Sequence, residues 1–233
     1  EDRMQVVRIR AREWQQKLGI KDLRLNRDQY LREIDGLVFG EDPRQGYVSD
    51  HVFYHPVLRF QFPVPVNWKI KNTPSRVQMV SEREEAVILF SLAAGPSPYE
   101  AARAFVSKAG ALVIRSEATQ VNGLPSQRLI SDIQTKSGVI RVLSYFIRRG
   151  KEIFVFHGLT SPGLFQKYGF IFDGTMRNFR ELSDPKMIDV KPDRIRIRVA
   201  GTPDRLENLL RSFGVPNEKL KETALLNGMH LNE

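Results

Sequence analysis

From Leu112 to Gly158 the chain reads as four strands in immediate succession: 112–121, 127–134, 139–148 and 152–158. Asn122-Gly123 and Gly150-Lys151 sit between strands as tight turns. Connections this short join antiparallel neighbours, because a parallel pair needs a crossover of a dozen residues or more. The strand Ile153-Phe154-Val155-Phe156 is apolar at successive positions. Its side chains alternate between the two faces of the sheet, so both faces must be covered.

The coverings are readable on either side of that block. Ser97-Pro98-Tyr99-Glu100 has the form of a capping box with proline at the first helical position. Ala102, Phe105, Val106 and Ala109 then form an apolar stripe that Gly110 closes. Ser161-Pro162 opens a second helix, lined by Leu164, Phe165, Tyr168, Ile171, Phe172, Met176 and Phe179. Upstream, Arg59 to Pro65 alternates and stops at prolines, as an edge strand would. Arg76 to Val80 and Ala86 to Ala93 read as two more strands, and Trp68 is expected to cover one end of the core. Three strands, a helix, four strands and a helix give an α+β fold, an antiparallel sheet sandwiched by helices.

Outside this segment, residues 51–183, the period changes. Met4, Val7, Ala11, Trp14 and Leu18 share one helical face before Gly19. Asn26 reads as an N-cap with Gln29 three residues on, and Tyr30 and Ile34 share a face of that second helix. Residues 40–50 are turn chemistry, so 1–50 reads as a helical segment with a linker. From 184 to 233 the pattern is a small β-α-α unit. Arg194 to Val199 alternates strictly, with Ile195, Ile197 and Val199 expected to pack on Leu206, Leu209 and Phe213. A lone strand leaves an unpaired edge, so its partner strand is expected beyond Glu233. The opening at Glu1, without a leader, reads as the start of a piece of a longer protein.

Composition removes several chemistries. There is no cysteine, which excludes thiolate metal sites and thiol catalysis. The longest uncharged run, Ala86 to Tyr99, is broken by Gly95, Pro96 and Pro98, and a bilayer span needs about 18 apolar residues. His51 and His55 have helical metal-pair spacing, but on extended chain they lie roughly 13 Å apart. A shared zinc needs both within about 2.1 Å. His157 reads as a structural histidine. A triad of Ser144, His157 and Asp132 can be drawn, yet no nucleophile elbow supports it. No H-E-x-x-H, phosphate-binding loop or G-x-G-x-x-G occurs. No catalytic, cofactor-binding or metal-ligating residue is therefore expected in this chain. The net charge of +9 draws on arginines in all three segments: Arg8, Arg10, Arg12, Arg148, Arg149, Arg194, Arg196 and Arg198. Interleaved acids disfavour nucleic acid and leave an anionic envelope surface as an equally natural partner.

The string from Tyr30 to Val48, with Asp35-Gly36-Leu37-Val38, Asp42-Pro43 and Gln45-Gly46, resembles the segment after the catalytic domain in the HtpX/BepA-like bacterial zinc metallopeptidases. Phe53-Tyr54-His55-Pro56, Phe60, Phe62, Pro63, Asn67-Trp68 and Asn72-Thr73-Pro74 resemble the next module of the same proteins, which is PsbP-like. Arg194 to Asn227 resembles a LysM-like unit lacking its closing strand. The resemblance implies a non-catalytic, extracytoplasmic C-terminal region, with the zinc ligands and catalytic glutamate upstream of this chain. The implied role is docking or presenting protein substrates beside the chain's own peptidase domain. An independent envelope ligand- or glycan-binding module and a basic nucleic-acid-binding protein are the competing readings.

Overall fold

The computed structural model describes residues 2–19 and 26–233, without the side chains of residues 2–4 and Arg27. The helices α1 (Asp2–Leu18) and α2 (Arg27–Ile34) come first. Six strands follow: β1 (Tyr47–Ser49), β2 (Val52–His55), β3 (Phe60–Pro63), β4 (Lys69–Thr73), β5 (Arg76–Val80) and β6 (Ala86–Ala93). Helix α3 (Pro98–Ala109) leads into β7 (Leu112–Val121), β8 (Leu124–Thr135), β9 (Gly138–Arg149) and β10 (Glu152–Thr160). Then come α4 (Phe165–Met176), β11 (Arg180–Glu181), α5 (Pro185–Ile188), α6 (Leu206–Ser212) and α7 (Leu220–Leu226).

Contacts group the chain into two units, Gly40–Asp193 and the pair Glu1–Phe39 with Arg194–Glu233, a different grouping from the three segments read along the sequence. The first of these is α+β, built on antiparallel sheets flanked by helices. Its main sheet has seven strands in the order β4-β5-β6-β10-β9-β8-β7, and a small sheet has the order β1-β2-β3-β11. Every pairing in both is antiparallel.

Strand β10 divides the core. Phe154 and Phe156 face a cluster with Phe53, Phe60 and Phe62 of the small sheet and Tyr168, Phe172 and Met176 of α4. Ile153 and Val155 face the other way, against Ala101, Ala102, Phe105 and Val106 of α3. The two-sided apolar pattern thus has a covering on each face. The capping signals of α3 hold: Ser97 Oγ accepts the Glu100 N–H at 3.1 Å, and Gly110 ends the helix at φ 59°. Asn122 (φ 48°) and Gly123 (φ 80°) make the β7–β8 turn. Trp68 is half-buried, edge-on to Tyr168 and Phe172 at the margin of the larger cluster.

Three expectations change. Strand β3 is not an edge: it pairs with β2 on one side and with β11 on the other. Part of the 40–50 linker is strand β1. The third concerns the other unit. Arg194 bridges Val38, Gly36 N–H donates to the Ile195 carbonyl, and Ile195 N–H donates to the Leu37 carbonyl. Arg194 and Ile195 thus have a neighbour earlier in the sequence, and apart from the bridge at Arg194 the segment to Val199 is not a strand. Val199 is 88% exposed, and Leu206, Leu210, Leu220 and Ala224 instead pack with Val215 and Leu231. The chain end folds back on α6, where Leu206 N–H donates to the Glu233 carbonyl and Glu207 N–H to the Leu231 carbonyl. These bonds satisfy first-turn donors that a helix leaves open. Helix α1 stops at Gly19 (φ 62°), but Val7, Trp14 and Leu18 on its apolar face are exposed, and the Met4 side chain lies outside the described residues. Tyr30 is exposed and Asn26 makes no side-chain cap.

Gly158 of β10 packs tightly against the Phe172 ring of α4. A Cβ on Gly158 would stand 2.5 Å from the ring's Cγ. Gly158→Ala is therefore expected to cost about 1–3 kcal/mol through forced overpacking. Chemical denaturation of the variant measures it, and an unchanged midpoint would mean that α4 can move off β10 freely.

Candidate functional site

Beneath α3, β9 and β10 set Ser144 opposite His157. Their side chains hydrogen-bond, Ser144 Oγ to His157 Nδ1, at 2.7 Å. The imidazole stacks on Phe105 at 4.4 Å and meets Phe146 edge-on at 5.7 Å. Burial alone pushes its pKa down to about 4, so the ring is neutral at neutral pH. Ser144 is fully buried. Asp132 does not join the pair. Its carboxylate takes two hydrogen bonds from Arg141, both at 2.8 Å, and Arg141 lies over the Phe165 ring of α4. Alternation along β8 and β9 places Asp132 on the α4 face and Ser144 on the α3 face. Two members of the drawn triad meet, with no third and no access to the serine.

The α4 face carries a second polar cluster. Arg128 donates to Tyr145 Oη (3.0 Å), Glu117 (3.2 Å) and Asp173 (3.4 Å), and Tyr145 Oη donates to Asp173 Oδ1 (2.7 Å). Burial, reinforced by the bond to Asp173, pushes the Tyr145 phenol up. The cluster ties α4 to β8 and β9, and each polar group named has a partner. Near Trp68, Glu85 accepts from Tyr168 at 2.6 Å and from Lys167 at 3.0 Å. These bonds hold its carboxyl below the ordinary range, the tyrosine more than the lysine. Ser131 Oγ is different: it is buried and has no hydrogen-bond partner.

His51 and His55 lie in different settings. His51 sits in the β1–β2 turn at φ 57° rather than on extended chain. His55 closes β2, where its Nδ1 accepts the Leu58 N–H at 3.2 Å and its ring packs on Phe60. Among the described residues no three His, Cys, Asp or Glu side chains are placed to hold a metal ion. No helix among the described residues is long and apolar enough to cross a membrane. Of the flagged arginines, Arg149 is held by the carbonyls of Leu58 and Arg59, and Arg194 by that of Gly36.

The main sheet ends at β4 on one side and at β7 on the other, and the β7 rim carries a groove. A groove of about 390 Å³ lies between α3 (Tyr99, Arg103, Val106 and Ser107) and the last strands (Val113, Ser116 and Leu129). Strand β7 is the terminal strand of the sheet, so one side of its backbone has no strand partner. Leu112, Val113 and Ile114 are exposed beside the groove at 72%, 44% and 49%. The ladder to β8 shifts between Val113 and Arg115, a bulge that turns Ile114 out of register. Sequence reading placed β7 correctly but not its exposure. No local signal marked it: the unalternated apolar run at its start reads as a strand covered on both faces.

No family model matches the chain, and the search of curated proteins found no match. Among solved structures, it is similar to cyanobacterial PsbP from Synechocystis, at 12% identity and TM-score 0.48, over 56% of this chain and 91% of that one. It is similar to LpqN, involved in cell envelope biogenesis of Mycobacterium tuberculosis, at 10% identity and TM-score 0.42, over 53% and 83%. The Saccharomyces cerevisiae Ran-binding protein Mog1p gives 11% identity and TM-score 0.40, over 60% and 99%. At these identities and scores no ligand, partner or activity passes from them to this chain.

The His157 environment has a measurable consequence. Its folded pKa, about 4, lies below the ordinary histidine value near 6.5. The unfolded chain therefore takes up a proton first, and stability contributed by neutral His157 is complete above about pH 6.5 and lost on descending toward about pH 4. The loss is on the order of 3 kcal/mol at full extent. His157→Gln is expected to flatten the wild-type decline across that window. Parallel slopes for the two proteins would show that the ring titrates normally.

Proposed function

We propose that this chain is a non-catalytic docking module, the C-terminal region of an extracytoplasmic bacterial zinc metallopeptidase of the HtpX/BepA-like kind, with a PsbP-like central unit. One contrast carries the docking part. His157, Asp132, Asp173 and Tyr145 on the two faces of the main sheet are satisfied by neighbouring side chains, while the β7 backbone edge and the apolar residues beside it are left open. A buried hydroxyl and a neutral imidazole stacked under Phe105 support packing rather than turnover. An unpaired strand beside a groove supports strand addition, in which backbone bonds give affinity and alternate side chains enter pockets. The partner in this reading is an extended protein segment, from a substrate or from the upstream catalytic domain.

The parentage rests on the resemblance of residues 30–48 and 53–74 to those peptidases. In the same reading Arg194, Arg196 and Arg198, all exposed, contribute a contact to anionic envelope surfaces. The test is deletion of residues 40–193 from the parent peptidase. Hydrolysis of a short peptide is expected to persist, while cleavage of a protein substrate falls about tenfold, the equivalent of about 1.4 kcal/mol of lost binding. Equal loss on both substrates would mean that the module supports the fold of the catalytic domain instead. No loss on either would end the docking reading.

A further inference from the structure

The exposed edge of β7 has a direction and a charge pattern. Val121 and Leu124 close the two-residue turn at Asn122-Gly123, and both turn residues have positive φ. In such a hairpin the closing pair exchanges both backbone hydrogen bonds, so Val121 points its N–H and C=O at β8. Alternation then aims the N–H and C=O of Gln120, Ala118 and Ser116 away from β8, into the open side. Ser116 sits between Arg115 and Glu117, whose side chains share the α4 face and bond each other at 2.7 Å. The bulge lies on the N-terminal side of Arg115 and leaves the ladder regular from there to Val121.

That pattern is complementary to itself. If two β7 strands run antiparallel with Ser116 opposite Ser116, Arg115 of each falls opposite the partner's Glu117. Two ion pairs form symmetrically, and Ala118 faces the partner's bulge at Ile114 rather than a regular ladder position. Opposite charges directly across an antiparallel pair are favourable and like charges unfavourable. A two-fold axis through the Ser116 pair keeps the faces of the two sheets aligned, so the contact closes on itself. We propose that two copies of this chain pair through their β7 edges about Ser116, joining two seven-stranded sheets into one. This rests on the reading of β7 as a docking edge and names what docks there.

Sedimentation of the full chain over a range of concentrations and salt tests it. The expected result is a monomer–dimer equilibrium that weakens as salt rises, because exposed ion pairs are screened. Ala118→Pro removes one outward N–H and leaves the β8 ladder intact, since proline is tolerated on the open side of an edge strand. It is expected to abolish the dimer. Arg115→Glu sets four acids around the axis and is expected to raise the dimer dissociation constant about tenfold or more. Glu117→Arg sets four arginines there. Each of these two variants is expected to be monomeric alone and to form a one-to-one heterodimer when mixed. Thermal melts check that all three fold, which matters most for Glu117→Arg because Glu117 also bonds Arg128. A wild-type chain that stays monomeric overturns the proposal, as does a dimer indifferent to Ala118→Pro and Arg115→Glu. A monomeric chain whose binding of a protein substrate is lost on Ala118→Pro overturns the pairing alone and leaves the docking reading standing.

Discussion

The structure depends on one strand having two apolar faces. Strand β10 runs between β6 and β9, and its side chains anchor both clusters of the central unit. A strand of this kind has no wet side, so a helix on one face alone would leave it half solvated. The small sheet and α4 supply one covering, and α3 supplies the other. The aromatic stack of Phe53, Phe60, Phe62, Phe90, Phe154 and Phe156 follows from this, because large rings from both sheets fill the space between them. Gly158 has no side chain because Phe172 occupies the space where its Cβ would be.

The polar groups follow from the same constraint. Both faces are covered, so every hydrophilic residue directed inward must find a partner there. Ser144 and His157 use each other, and Arg128 gathers Tyr145, Asp173 and Glu117. Ser131 is the exception among the buried side-chain polar atoms described, an unbonded hydroxyl whose desolvation costs about 1–3 kcal/mol. At the β7 end of the sheet coverage thins, and Leu112, Val113 and Ile114 lie exposed beside α3. The open groove and the free edge are two aspects of that one boundary.

Much of this was legible in the residues, where local chemistry decides. Ser97-Pro98 and Gly110 bound α3, Asn122-Gly123 makes its turn, and the stripe from Leu164 to Phe179 lies on the core. The missed elements lack such marks. The β1–β2 turn places Asp50 and His51 at positive φ, positions where glycine or asparagine is the usual sign. Strand β4 is polar and short, and β11 has only two residues. The partner of Arg194 is Val38, a contact that no local pattern encodes. The candidate site was hidden for a related reason: which strand ends a sheet is a property of topology, and topology is fixed by distant pairings.

The closing of the small sheet has a consequence for how the chain is made. Strand β3 takes its second neighbour from Arg180–Glu181, and the bond from the Gln61 side chain to the Glu181 carbonyl spans 120 positions. On a ribosome, Phe60 and Phe62 are synthesised long before the strands and helix that bury them. At about 5–20 residues per second, that interval is many seconds of exposed aromatic surface. The nascent chain thus passes through a long period in which its stickiest segment is unshielded, and a holding chaperone or fast secretion in the unfolded form would meet that need.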